Sequence, residues 1–273
     1  MKKQISILGC GWFGLPLAKH LITKGFVING STTTSDKIFT LENANIKPFI
    51  ISLSENKIIG AINDFLLNSE ILIIDVPPKL RSEKTDNFVQ KITNLIPFIE
   101  KSTVKNVIFV SSTSVYKDEI FSETEPHIVT EKTICFPETE SGKQLLETEK
   151  LLMSNKKFKT ITIRFGGLIG DDRNPTKFLA GRKQVANPNA PINFIHQMDC
   201  IGIIEKIIET NSWNQIFNGV APNHPTRIDY YLQKAQDFGL EPPEFESNKT
   251  SFGKIVSSQK VQNMLGFEFV GEI

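Results

Sequence analysis

The feature that most constrains the fold is a glycine-punctuated segment near the N-terminus, Gly9-Cys10-Gly11-Trp12-Phe13-Gly14. Strand-like residues 5–8 precede it, and an apolar face at helical spacing follows it over 17–22. In such a strand–turn–helix unit the first glycine permits a tight turn, the second removes a side chain where a pyrophosphate approaches, and the third lets the helix pack close to the sheet. The helix N-terminus also offers free N–H groups to phosphate. The segment predicts a dinucleotide-binding turn formed by Gly9, Gly11, Trp12, Phe13 and Gly14; the alternative is a glycine-rich turn without a ligand.

Short apolar segments rich in β-branched residues recur along the first part of the chain, at 5–8, 26–28, 49–51, 71–76, 107–110 and 161–165. Continuous apolar segments of this length are typical of strands buried on both faces of a parallel sheet. Amphipathic helical segments lie between them, most clearly at 88–99. The alternation predicts an α/β fold, with a Rossmann-type doubly wound parallel sheet and right-handed crossovers.

After about residue 166 the pattern changes to loops rich in Gly, Pro, Asn and Asp. A helix at 199–210 starting at a capping Asp199, a strand at 216–220, a helix at 226–238 and a short closing helix with a serine cap follow. We therefore predict a dinucleotide-binding domain at 1–165 and a smaller α/β substrate lobe at 166–273, interleaved with the first domain. A cleft between them would lie at the carboxyl ends of the strands.

Composition excludes several classes of function. The net charge is +1, from 31 basic and 30 acidic residues, so nothing points to a nucleic-acid partner. No apolar segment reaches the ~18 residues of a membrane span, and the first residues do not resemble a secretion signal. The three cysteines are few and far apart, which indicates neither a disulfide framework nor a metal site. We expect a cytoplasmic protein with a small-molecule substrate.

The segment after the second strand bears on the choice of dinucleotide. A typical NAD site has Asp or Glu here to bind the ribose hydroxyls. This chain instead has hydroxyl side chains followed by Asp36 and Lys37, and hydroxyls with a nearby lysine can hold a 2′-phosphate. We predict NADP or NAD as cofactor, with a slight preference for NADP; a solvated Lys37 is the alternative. The predicted ligands are Ser31, Thr32, Thr34 and Lys37, joined by Val76 and Pro77 where the fourth strand ends.

Several segments together carry a family resemblance. They are "VIFVSSTSVY" at 107–116, the glycine turn, "IRFGGLIG" after the sixth strand, "NFIHQMD" at 193–199 and "FNGVAPNHPTR" at 217–227. In this order and spacing they resemble the atypical branch of the extended short-chain dehydrogenase/reductase superfamily, the NAD(P)-dependent epimerase/dehydratase group, over nearly the whole chain. The resemblance implies a sugar-nucleotide-like or other polar anionic substrate. It also leaves a homodimer open.

In that superfamily a Ser positions the substrate hydroxyl, a Tyr transfers the proton, and a Lys four residues after the Tyr holds the ribose. The resemblance places Ser112 at the serine position, with Ser111 beside the cofactor, and Lys143 at the lysine position. The tyrosine position holds Thr139. Threonine has no anionic form accessible near neutral pH, so it cannot relay a proton as a tuned phenol does.

Three alternatives follow from this departure. Another group, Tyr116, Glu138 or His196, performs the proton transfer; the protein is a non-catalytic NAD(P)-binding sensor; or the register near residue 139 is displaced. Displacement supplies no tyrosine, since none occurs from 117 to 228. The catalytic prediction is therefore Ser112, Tyr116, Lys143 and His196, against the alternative that Tyr116 is a packed aromatic and His196 fixes a loop.

The resemblance also suggests residues for the substrate. By resemblance the segment of His196 lines the substrate pocket, and we expect Arg164 and Arg227 to lie in the same cleft. A basic residue early in a helix opposes the favoured charge sign, so Arg227 indicates an anionic contact. A surface ion pair is the alternative for such a residue.

Overall fold

A computed structural model describes residues 3–78, 87–247 and 250–273. Its strands are β1 (Gln4–Leu8), β2 (Val27–Thr32), β3 (Lys47–Ile50), β4 (Ser52–Leu53), β5 (Ile58–Ile59), β6 (Ser69–Ile74), β7 (Asn106–Ser112), β8 (Glu119–Ile120), β9 (Ile128–Val129), β10 (Lys159–Phe165), β11 (Gly167–Ile169), β12 (Phe194–His196), β13 (Gln215–Gly219), β14 (Phe252–Gly253) and β15 (Ile255–Val256). Its helices are α1 (Gly14–Thr23), α2 (Ile38–Asn43), α3 (Ile62–Leu66), α4 (Phe88–Lys101), α5 (Glu140–Met153), α6 (Thr176–Leu179), α7 (Gln197–Thr210), α8 (Arg227–Asp237) and α9 (Gln259–Leu265).

Seven strands form the central sheet, in the order β13-β10-β7-β6-β1-β2-β3. The pairings of β1 with β2, β1 with β6, β2 with β3 and β6 with β7 are parallel. The chain builds outward from β1 to β3 and then continues on the other side of β1, at β6. The strand order therefore reverses between β1 and β6, which is where ligands bind in doubly wound sheets. The predicted α/β fold with a Rossmann-type sheet is confirmed.

The burial of the strand side chains explains why the sequence predicted these strands. Ile5 and Ile7 of β1 and Leu72 and Ile73 of β6 are fully buried. Adjacent residues of a strand point to opposite faces, so Leu72 and Ile73 show that β6 is covered on both sides. Each such side chain contributes about 1.5–3 kcal/mol through burial, so these strands form the apolar centre of the sheet.

Contacts within the chain define two compact units. The first comprises Met1–Val115, Pro137–Arg164 and Ile204–Phe217, and the second comprises Tyr116–Phe136, Phe165–Ile203 and Asn218–Ile273. The division at 164/165 lies next to the predicted boundary, but 116–136 joins the second unit and 204–217 the first. Within the second unit, β8 pairs with β14, β9 with β15 and β11 with β12. No helix of the described residues is long and apolar enough to cross a membrane.

Two predicted caps are wrong. Asp199 does not begin its helix, because α7 starts at Gln197; the buried Asp199 carboxylate instead accepts hydrogen bonds from the N–H groups of Val270 and Gly271. Ser258 precedes α9 but makes no side-chain cap, because its hydroxyl accepts the N–H of Val220. In both cases a distant backbone segment uses the polar atom that a local cap would need.

Candidate dinucleotide site

The glycine turn between β1 and α1 contains two glycines that the fold itself requires. Gly9 has a φ of +109°, and a Cβ there would lie 2.2 Å from the carbonyl oxygen of Asp75. A Cβ on Gly14 would lie 2.1 Å from the carbonyl oxygen of Gly9. Neither position accepts a side chain, because each one faces backbone. The first and third glycines of the turn are therefore explained by packing within the chain.

Gly11 is different. Its φ lies outside the left-handed region, and a Cβ built on it meets nothing within 4 Å. The described part of the chain thus gives no steric reason for glycine at this position. Open space in front of the second glycine is what a bound pyrophosphate requires, since the backbone must approach it closely.

Ser31, at the end of β2, holds the turn in place. Its hydroxyl accepts the N–H of Gly9 at 2.9 Å, and its carbonyl oxygen accepts the N–H of Cys10 at 2.8 Å. The side chain is 2% exposed. The structure shows Ser31 supporting the glycine turn, and its predicted role as a 2′-phosphate ligand stays a prediction.

A cavity of about 390 Å³ opens beside the turn. Its lining includes Gly9, Gly11, Ser31, Thr32, Lys37, Val76 and Pro77 from the predicted set. It also includes residues that the sequence analysis did not select: Leu8, Cys10, Thr33, Ile51, Ser52, Leu53, Asp75, Phe88 and Lys91. Trp12, Phe13, Gly14 and Thr34 are not among the lining residues, and Phe13 is buried. The predicted strand at 49–51 offered a signal for 51–53, because the residues after a parallel strand lie at the ligand edge of the sheet.

Asp75 is the one acidic side chain in the described lining of this cavity. Burial raises its pKa to about 8, and a hydrogen bond from the N–H of Gly14 opposes that rise. Burial, with the nearby Asp75 charge, raises the pKa of the Cys10 thiol to about 12. Lys37 and Lys91 bring two cationic side chains to the same cavity. The site thus combines a helix N-terminus, two lysines and one acid whose proton is retained to near pH 8.

Among the positions that the resemblance assigns to catalysis in the first unit, Ser112 and Thr139 make local hydrogen bonds. The Ser112 hydroxyl accepts the N–H of Ser114 at 3.1 Å, in the turn after β7. The Thr139 hydroxyl accepts the N–H of Gly142 at 3.1 Å and caps α5. Lys143 lies in the first turn of α5 with an exposed side chain. Threonine at the expected tyrosine position is therefore the helix cap of α5.

Arg164 lies on β10 and forms a buried ion pair with Glu149 of α5. Its Nη2 is 2.6 Å from Glu149 Oε2, and its Nε is 3.1 Å from Oε1. The Ser111 hydroxyl donates to the same carboxylate at 2.5 Å. Both charged residues are almost fully buried. This pairing gives Arg164 and Ser111 partners within the first unit, and the substrate and cofactor roles expected of them stay predictions.

The remaining predicted residues lie in the second unit. The Tyr116 hydroxyl is buried and donates to Asn218 Oδ1 at 2.8 Å. His196 Nδ1 accepts the N–H of Met198 at the start of α7, and a Cβ on Gly271 would lie 2.3 Å from His196 Cβ. Arg227 begins α8, with its guanidinium 5.9 Å from the Tyr231 ring. The phenol of Tyr116 and the imidazole of His196 thus both form hydrogen bonds within the second unit.

No family model matches the chain. Protein YeeZ of Escherichia coli K12 is 32% identical over 269 residues, which cover 98% of this chain and 96% of that protein. Protein YeeZ of Escherichia coli O157:H7 matches to the same extent.

Solved structures establish the fold. A short-chain dehydrogenase/reductase superfamily protein from Agrobacterium tumefaciens with bound NAD is 16% identical, with a TM-score of 0.78 over 98% of this chain and 93% of that one. A putative NAD-dependent epimerase/dehydratase from Methylobacillus flagellatus is 22% identical, with a TM-score of 0.75 over 99% and 94%. UDP-glucose 4-epimerase from Thermotoga maritima with UDP-glucose is 18% identical, with a TM-score of 0.79 over 98% and 94%. The resemblance to the extended short-chain dehydrogenase/reductase superfamily is confirmed at the level of fold.

Proposed function

Because the chain belongs to the family of protein YeeZ and has the fold of NAD-dependent epimerases and dehydratases, we propose that it binds NAD(P) at the glycine turn. Gly11 carries this proposal, since no contact among the described residues explains the open space before it. The cavity beside the turn supplies apolar contacts from Ile51, Leu53 and Phe88 that suit an adenine ring. The fold of the Agrobacterium tumefaciens protein, which was solved with bound NAD, supports this assignment.

The preference within the proposed function is for NADP over NAD. Between the end of β2 and the start of α2 the cavity is lined by Thr32, Thr33 and Lys37, and none of these three is a carboxylate that would repel a 2′-phosphate. Lys91 adds a second cationic side chain to the lining. Positive charge close to a phosphate favours binding, and added salt weakens that attraction.

The proposed substrate is a polar anionic small molecule of the sugar-nucleotide type. Three buried donors of the second unit, Arg227 Nε, Asn174 Nδ2 and Thr176 Oγ1, have no hydrogen-bond partner among the described residues. A buried donor without an acceptor is costly, so such groups point to a ligand that supplies acceptor oxygens. The Thermotoga maritima epimerase, solved with UDP-glucose, has the same fold.

If the protein is an enzyme, NAD(P) would supply the exchange of a hydride with the substrate. Ser112 would then orient the substrate hydroxyl, Lys143 would hold the ribose, and Tyr116 or His196 would move the proton. The Thr139 cap favours a second candidate, a non-catalytic NAD(P)-binding sensor, because the residue at the usual tyrosine position has a purely structural hydrogen bond. Catalytic turnover of a substrate by the unmodified protein would support the enzyme and exclude the non-catalytic sensor.

A fluorescence titration tests the binding. The chain has two tryptophans, so Trp213→Phe leaves Trp12, within the glycine turn, as the sole indole reporter. We expect saturable changes in Trp12 emission with both dinucleotides and tighter binding of NADP. Lys37→Gln should weaken NADP more than NAD, with the gap shrinking as salt is added. Lys57→Gln changes an exposed lysine that is not among the lining residues of the cavity and should alter the affinity for neither dinucleotide. Tighter binding of NAD than of NADP would refute the preference, and no binding of either would refute the function.

A further inference from the structure

We propose that Asp75 is a residue of the dinucleotide site and that the dinucleotide binds the form of the chain in which Asp75 carries a proton. Binding would then take up a proton from solution. This inference rests on the proposed function, and it adds a residue that a cofactor turn of this kind does not by itself require.

The geometry places Asp75 under the glycine turn. Its carbonyl oxygen is the atom that a Cβ on Gly9 would strike, and its Oδ2 lies 3.1 Å from the Cβ position of Gly14. The carboxyl group also accepts a hydrogen bond from the N–H of Gly14, the first residue of α1. Asp75 lines the 390 Å³ cavity together with Gly9 and Gly11. The chain's own carboxyl group therefore lies at the helix end where the pyrophosphate is expected.

An ionised Asp75 and a pyrophosphate would be like charges at one helix N-terminus. A carboxylate can only accept hydrogen bonds, so it would repel the phosphates and offer them no donor. A protonated carboxyl group removes the repulsion and supplies one O–H donor, while its other oxygen still accepts the N–H of Gly14. The neutral form is the one that suits an anionic ligand.

The surrounding groups leave Asp75 as the acid that responds near neutral pH. Burial raises its pKa to about 8. Cys10, on the turn after β1, has a pKa of about 12 and stays neutral below pH 10. The other charged groups of the described lining are Lys37, after β2, and Lys91, on α4, and both attract the ligand.

The thermodynamic linkage between proton binding at Asp75 and dinucleotide binding fixes the direction and the size of the change in Kd with pH. Below the pKa, Asp75 is already protonated, so binding takes up almost no proton; one unit above it, binding takes up about 0.9 proton per dinucleotide. The apparent Kd should therefore rise about tenfold between pH 6.5 and pH 9. NAD is the suitable probe, because a 2′-phosphate would itself titrate near pH 6.

Calorimetric titration of the full chain with NAD, at both pH values and in buffers of different ionisation enthalpy, tests the proposal. The unmodified protein should show the proton uptake and the rise in Kd at pH 9. Asp75→Asn keeps an acceptor for Gly14 but cannot titrate, so its Kd should match the unmodified protein at pH 6.5 and be about tenfold lower at pH 9. Asp64→Asn, an exposed acid on α3, should behave as the unmodified protein.

Binding of NAD without proton uptake and with the same Kd at both pH values would overturn the role of Asp75 and leave the proposed function intact. Weaker binding by a folded Asp75→Asn at both pH values would also overturn it. The proton-uptake measurement on the unmodified protein decides the matter even if the variant does not fold. Absence of NAD binding by every form at both pH values would overturn the proposed function together with this inference.

Discussion

At the scale of single residues, the sequence position of Arg164 does not distinguish a substrate ligand from a member of an internal ion pair. Its place at the end of a predicted strand, before a loop, suits a substrate ligand as well as an internal ion pair. The structure pairs it with Glu149, a residue 15 positions earlier on α5, and both side chains are buried. Spacing along the chain did not indicate this contact, because the strand-to-helix packing that forms it is a tertiary feature.

Arg164→Met should destabilise the protein by about 3–5 kcal/mol, because it leaves the Glu149 carboxylate buried without its cation. The double variant Arg164→Met/Glu149→Met should recover most of the loss, since two apolar side chains need no partner. Urea denaturation measures both. A single variant within about 0.5 kcal/mol of the unmodified protein would contradict the assigned role.

At the scale of elements, the start of α5 coincides with a position expected to be catalytic, because Thr139 is both the N-cap of the helix and the residue at the expected tyrosine position. Thr139 has extended backbone angles, with φ −92° and ψ 151°, and its hydroxyl accepts the N–H of Gly142. That is the geometry of an N-cap. The helix also lies close to the turn after β7, because a Cβ on Gly142 would lie 2.5 Å from the carbonyl oxygen of Ser114. The family resemblance implies that Thr139 stands at the tyrosine position, and the cap gives threonine a structural role there.

Thr139→Ala and Thr139→Tyr should each cost about 1 kcal/mol, because neither side chain can accept the N–H of Gly142 in this way. Thr139→Ser keeps the hydroxyl and should be nearly neutral. Thermal unfolding followed by circular dichroism compares the three variants. Should Thr139→Tyr prove as stable as Thr139→Ser, the cap would not explain the residue at this position.

At the scale of the whole molecule, the sequence predicted the central sheet but only part of the second unit. The strands of the sheet are continuous apolar segments, and this pattern can be recognised without knowing how the segments pack. The paired strands β8 with β14 and β9 with β15 are two residues each and join positions more than 120 residues apart. Segments this short have no periodicity to detect, so the placement of 116–136 in the second unit could not be predicted.

The sequence likewise predicted one part of the candidate site and missed another. The glycines, Lys37, Val76 and Pro77 were selected because fixed positions after β1, β2 and β6 mark the ligand edge of a doubly wound sheet. Phe88 and Lys91 were missed, since the amphipathic pattern of 88–99 indicates which face of α4 is buried but not that its first turn reaches a cavity. Asp75 was passed over because its significance lies in its half-buried position against Gly9 and Gly14, which is a tertiary feature.

The central claim is that the open space before Gly11 holds the dinucleotide, and a Gly11→Val variant tests it most directly. A Cβ there has no atom of the described residues within 4 Å, so the melting temperature should change by less than about 2 °C, whereas Gly14→Ala, whose Cβ would lie 2.1 Å from backbone, should lower it clearly. The valine side chain would occupy the pyrophosphate position, so calorimetry should show NADP and NAD binding at least about 100-fold weaker than to the unmodified protein. A folded Gly11→Val that binds both dinucleotides with unchanged Kd would contradict the account.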